Sequence, residues 1–73
     1  MNAIDFIDVF DRESTNFRLL DDYNDLLYEG NGRRCMAWLM KNNQYDIYPE
    51  DGGIWAKTES DGTITILLTE SFE

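Results

Sequence analysis

The stretch FRLLDDYNDLLYE, Phe17 to Glu29, decides the fold. At about 100° per residue, Leu19, Leu20, Tyr23, Leu26 and Leu27 gather on one side of a helix, and Asp21, Asp22, Asp25 and Glu29 gather on the other. Ser14, Thr15 and Asn16 before it are capping residues, and Gly30 after it is a natural helix terminator, because glycine tolerates a left-handed backbone. The spacing therefore predicts a helix over 17–29. Acids late in such a helix oppose its dipole, at a cost of a few tenths of a kcal/mol each. Their place there points to a role other than stability.

Upstream, AIDFIDVFD repeats the arrangement. Ala3, Phe6, Ile7 and Phe10 share one side of a helix predicted over 3–12, with Asn2 as its cap, and Asp5, Asp8 and Asp11 lie opposite. Strict alternation in twos, the mark of a strand, is absent here.

Downstream the texture changes. CMAWLMK, residues 35–41, is apolar on both sides and reads as a buried central strand or a short helix, of which the strand is the favoured reading. Asn42 and Asn43 suit a tight hairpin into YDIY, residues 45–48. PEDGG is turn chemistry. IWAKTE (54–59) and TITILLTE (63–70) flank SDG, and a three-residue loop ending on Gly62 aligns Ile54 and Ala56 with Leu68 and Ile66. The expected fold class is α+β: two N-terminal helices packed on one face of an antiparallel meander of three to four strands. The uncovered sheet face would carry Cys35, Ala37, Leu39, Tyr48, Trp55 and Leu67, a patch that monomers rarely leave open.

Seventy-three residues make a single small domain over 1–73 with a thin core. One cysteine forms no internal disulfide, and the lack of histidine argues against a zinc site. No basic leader and no membrane-spanning apolar run is visible, and a lone thiol suits a reducing compartment, so the expected location is cytoplasmic.

Chemistry is sparse. Without histidine the usual general base and metal ligand are missing. Cys35 stands next to Arg33 and Arg34, which would lower a thiol pKa, but no activating base accompanies it. DDYNDLL lacks the glycine of a calcium loop, DIYPEDGG lacks its alternate acids, and EGNG lacks the lysine and spacing of a phosphate loop. The expectation is no enzyme, no cofactor and no metal.

Charge carries the functional reading. The net charge is -9. Residues 1–29 hold eight acids against Arg12 and Arg18, residues 30–44 hold Arg33, Arg34 and Lys41 with no acid, and residues 45–73 hold seven acids against Lys57. Nucleic acid and anionic lipid repel such a chain, so no direct nucleic-acid or membrane binding is expected and its charged partners should be basic. Arg33, Arg34 and Lys41 serve to neutralise nearby acids or to hold a carboxylate.

Residues three apart on a helix rise about 4.5 Å, so Asp5, Asp8 and Asp11 would form a spaced anionic row, and Asp21, Asp22, Asp25 and Glu29 a second. Duplex DNA carries one charge per ~1.7 Å of axis. Two such rows side by side could pair with the lysines and arginines that normally hold phosphates, with Tyr48 and Trp55 as aromatic anchors. In size and charge the chain resembles the small acidic inhibitors of phages and mobile elements: antirestriction proteins, anti-CRISPR proteins and inhibitors of DNA-repair glycosylases. That resemblance implies a DNA-mimicking inhibitor of a basic nucleic-acid-binding protein and carries no individual residue over. The competing reading is a small acidic adaptor or homodimer that binds through the apolar sheet face.

Overall fold

The computed structural model describes residues 3–21, 23–47, 49–50, 53–54 and 56–70. Its elements are α1 (Ala3–Ile7), β1 (Asn16–Leu20), β2 (Leu26–Asn31), α2 (Gly32–Lys41), β3 (Tyr45–Ile47), β4 (Pro49–Glu50), β5 (Gly53–Ile54), β6 (Ala56–Thr58) and β7 (Ile64–Glu70). The main sheet is mixed, not an antiparallel meander. It runs β2-β1-β7-β3, with β6 also on β7, and β1 and β7 are parallel. The expected two-helix N-terminus is therefore corrected: the described residues form two helices, but the second lies at 32–41, between strands.

Residues 17–29 form most of an antiparallel hairpin instead of a helix. Their apolar residues satisfy two periods at once, since Phe17 and Leu19 are buried while Arg18 and Leu20 between them are only half-buried. The centre, DDYND, arbitrates. Asp and Asn compete with helical hydrogen bonds and favour turns. The Asp21 carboxylate accepts from Tyr23 N at 2.8 Å and from Asp25 N at 2.9 Å, and Asp21 N donates to Asp25 O at 3.0 Å. Asn24 takes the left-handed backbone, φ 65°, that reverses the chain. A bulge at Leu27 lets Leu20 face Leu26 while Leu19 faces Tyr28.

Residues 35–41, expected as a strand, belong to α2. No residue from Gly32 to Lys41 is β-branched, and alanine, leucine, methionine and lysine favour helices. Gly32, Cys35, Met36 and Leu39 turn inward at helical spacing. Ala37 and Met40 are exposed, which explains why the segment looks apolar on both sides. Asn31 caps the start by accepting from Arg34 N at 2.9 Å, and Asn42 closes the end through Trp38 O. Asn42 thus ends a helix where a hairpin was expected.

The last strand is the axis of the sheet. β7 pairs with β1 along one edge, and with β6 and then β3 along the other. The expected register of Ala56 with Ile66 is present, and Glu59 N bonds to Thr63 O at 2.7 Å around the loop 60–62. Gly62 has φ +92°, which suits glycine in that turn. Ile54, however, faces Pro49 in a separate two-stranded ladder, and Leu68 faces Ile47.

Both helices cover one face of the main sheet. Phe17, Leu19, Ile47, Ile64, Ile66 and Leu68 meet Ala3, Ile7, Cys35, Met36 and Leu39 in one core. Each large aliphatic or aromatic side chain buried there contributes roughly 1.5–3 kcal/mol of transfer free energy. The predicted inner side of α1 is observed: Ala3 and Ile7 are buried and Phe6 and Phe10 pack against the core, although the α-helix itself stops at Ile7. Phe10 stacks edge-on against Phe17 at 5.6 Å, tying α1 to β1.

The uncovered face is not the apolar patch expected. Cys35 and Leu39 are core residues of α2, and Ala37 is exposed on it. Tyr48 and Trp55, like Asp22, lie outside the described residues. What β1, β2, β6 and β7 present there is mixed: Glu29, Arg18, Thr65 and Lys57 lie in register, beside Leu26, Leu20 and Leu67.

Candidate functional site

The fold sorts the charges by position along the strands. Because β1 and β7 are parallel, both end at the same side of the sheet, where β2 and β3 begin. Asp21 follows β1, Asp25 faces it across the turn, Glu70 closes β7, and Asp46 sits opposite Thr69. Burial pushes the Tyr45 hydroxyl pKa up, and the carboxylates of Glu70 and Asp21 push it further in the same direction. Both carboxylates therefore lie close enough to act on one phenol. Among the described residues, Lys41 at the end of α2 is the cation that the chain path brings toward this end.

Away from that end, arginines stand beside acids. Arg33 pairs with Glu13, Arg12 Nε lies 3.9 Å from Asp8, and Arg18 Nε lies 2.8 Å from Glu29 Oε2 across the hairpin. The first two contacts lie near the starts of β1 and α2, where Gly32 N bonds to Thr15 O and Arg33 N to Arg12 O, and the third joins the middle of β1 to β2. The Glu29 carboxylate holds the Arg18 guanidinium pKa above its ordinary value by hydrogen bond and charge, helped by Glu59 and Asp61.

The two anionic rows expected from helical spacing are thus rearranged. Asp5, Asp8 and Asp11 are all exposed. Asp8 is in reach of Arg12, and Asp11 accepts from Glu13 N at 3.0 Å and from Ser14 N, bonds that hold its carboxyl below the usual value. Asp21 and Asp25 stand together at the hairpin turn. Glu29 is not beside them: it lies within β2, opposite the middle of β1 and matched to Arg18. The second row, read as one helix face, does not exist.

The sequence reading missed the company of Asp21 and Asp25. Tyr23, expected inward, is 84% exposed at the turn tip, and Leu26, also expected inward, is 55% exposed at the start of β2. Leu26, Leu20 and Leu67 are neighbours across three strands next to that turn. The signal was present in DDYND, whose turn chemistry places Tyr23 at a tip and not on a helix flank. The result is a short apolar and aromatic strip with carboxylates at its end.

Cys35 offers no chemistry. Its thiol is fully buried and donates toward Gly30 O at 3.5 Å, and desolvation pushes its pKa up to about 11. Its arginine neighbours in sequence do not make it a thiolate. No described helix is long and apolar enough to cross a membrane. Comparison of the chain with family models, with curated proteins and with solved structures finds no match.

Proposed function

We propose that this chain is a non-enzymatic binding protein that occupies a basic, nucleic-acid-binding surface of a partner protein and so keeps nucleic acid from it. The observation that carries this reading is the distribution of charge: Arg12 and Arg33 near the starts of β1 and α2, and Arg18 in the middle of β1, are each matched to an acid, while Asp21, Asp25, Asp46 and Glu70 share the other end with Lys41. Desolvating a carboxylate cluster is favourable only against cations, so a basic partner surface is the natural complement of that end. Tyr23, Leu26, Leu20 and Leu67 supply the apolar centre that a charged rim needs for a stable contact. Glu29 and Asp8 contribute less than their sequence positions imply, because Arg18 and Arg12 stand beside them.

The competing reading, an adaptor or homodimer joined through the sheet, draws on the same Leu26, Leu20 and Leu67 strip. The two differ in what breaks binding. Charge reversal at Asp21 and Asp25 removes a basic partner, whereas Leu20→Ser with Leu67→Ser removes an apolar one. Binding by charge also weakens sharply between low and physiological salt. Titrating the captured partner with each variant at two salt concentrations tests the proposal.

A further inference from the structure

β2 is the edge of the main sheet: among the described residues it pairs with β1 alone. In its regular part the backbone of Glu29 and the N–H of Asn31 face away from β1, and the strand holds no proline or lysine to blunt that side. The bulge at Leu27 leaves Tyr28–Asn31 regular.

Beside that edge runs a groove of about 330 Å³, lined by Tyr28 of β2 and by Arg34, Ala37, Trp38 and Lys41 of α2. Its floor is aromatic. Tyr28 stacks on Trp38 with centroids 5.9 Å apart, and Trp38 stacks in turn on Tyr45 at 5.5 Å. Arg34 and Lys41 are exposed, and neither belongs to the ion pairs described among Arg12, Arg18 and Arg33 and their acids. Seven residues apart on a helix, they stand on one side roughly 10.5 Å apart along the axis. A protein with this excess of acid thus leaves two cations over an aromatic floor, next to an open strand edge.

We propose that this groove takes an extended acidic segment of a partner protein, added as a strand to β2. The edge supplies main-chain hydrogen bonds, and alternate side chains of the added strand, about 6.8 Å apart, point into the groove. Carboxylates at those places reach Arg34 and Lys41, and the methylene groups that carry them lie on Trp38 and Tyr28, while the intervening side chains face away from the groove. An open backbone ladder complements a peptide, not a nucleotide. The groove meets the acidic end at Lys41, extends from it along β2, and needs no cation from the partner.

The test uses the intact chain and an acetylated, amidated hexapeptide of alternating valine and glutamate, followed by amide chemical shifts and fluorescence anisotropy. The glutamate peptide binds and moves the amides of Leu26–Asn31, and its valine–lysine counterpart does not bind. Arg34→Glu with Lys41→Glu weakens the glutamate peptide by about tenfold or more and admits the lysine peptide. Both residues are exposed, and the milder Arg34→Gln with Lys41→Gln pair repeats the loss without charge reversal. Failure of the glutamate peptide to bind, shifts confined to other strands, unchanged binding in both double variants, or tighter binding of an oligothymidylate of equal charge overturns the proposal. So does concentration-dependent pairing of the chain with itself through β2 in the absence of peptide.

Discussion

Arg18 Nε and Glu29 Oε2 lie 2.8 Å apart on directly opposed residues of β1 and β2. Eleven positions apart, they would sit about 16 Å from each other along a helix. The contact exists only because the chain reverses at Asp21–Asp25, and it withdraws Glu29 from the acidic end. Reversing Glu29 to lysine is therefore expected to change affinity for a basic partner much less than reversing Asp21 and Asp25 together, which costs about tenfold or more, roughly 1.4 kcal/mol. Titration calorimetry with the wild type and these two variants compares them. Equal losses at both places would show that the turn is not the contact.

The junction of α1, β1 and α2 is closely packed around Gly32. A Cβ placed on Gly32 would stand 3.0 Å from Arg12 Cα and 3.3 Å from both Ile7 Cγ2 and Phe17 Cε2. Gly32→Ala is expected to destabilise the fold by about 1–3 kcal/mol, because backbone as well as side chains must move. Removing the neighbouring cap with Asn31→Ala costs about 1 kcal/mol. Urea denaturation reads both.

Leu19 is fully buried at the centre of the sheet, facing Tyr28 on one side and Ile66 on the other. Leu19→Ala should cost about 2–5 kcal/mol, a large share of what a domain this small possesses. Leu26→Ala, on the exposed side of the same hairpin, should stay within about 0.5 kcal/mol. The two residues sit in similar Leu-Leu pairs in the sequence, so the contrast in melting temperature checks the hairpin directly.

Cys35 links stability to alkaline pH. Its folded pKa of about 11 exceeds the ordinary 9.0, chiefly through desolvation, so the unfolded chain releases this proton first. The native state is favoured fully below pH 9 and loses stability as pH rises from about 9 to about 11, by roughly 2–3 kcal/mol at about 1.4 kcal/mol per unit. Tyr45, whose pKa is also raised, adds to the same slope. Cys35→Ala should flatten the slope without abolishing it. In the native protein at pH 8 an aromatic disulfide reagent should react with the thiol only at the rate of unfolding.

Much of this architecture is written locally. The inner side of α1, the strands at 45–47, 56–58 and 64–70, and the loop ending on Gly62 follow from short-range pattern and turn chemistry. The error at 17–29 has a definite source. Two Leu-Leu pairs around a polar centre match a helical wheel and a hairpin equally well, and only the tendency of Asp and Asn to form turns separates them. At 32–41 exposed Ala37 and Met40 hid a helical period that the absence of β-branched residues would have revealed. The parallel β1–β7 pairing is of another kind. It joins residues 47 apart, Phe17 and Ile64, and no local signal encodes it. That pairing brings Asp21 and Glu70 to one end, so the candidate surface is a tertiary fact. Asp21 and Asp25 were legible as acids, and their separation from Glu29 was not.

The most direct measurement is capture of the partner from the cells that encode this chain, followed by competition with DNA or RNA. Wild-type protein and the Asp21→Lys, Asp25→Lys variant are compared side by side after nuclease treatment. A captured nucleic-acid-binding protein that excess DNA or RNA displaces, and that the variant fails to retain at physiological salt, is the predicted result. A partner that survives the competition and binds the variant equally well contradicts the account.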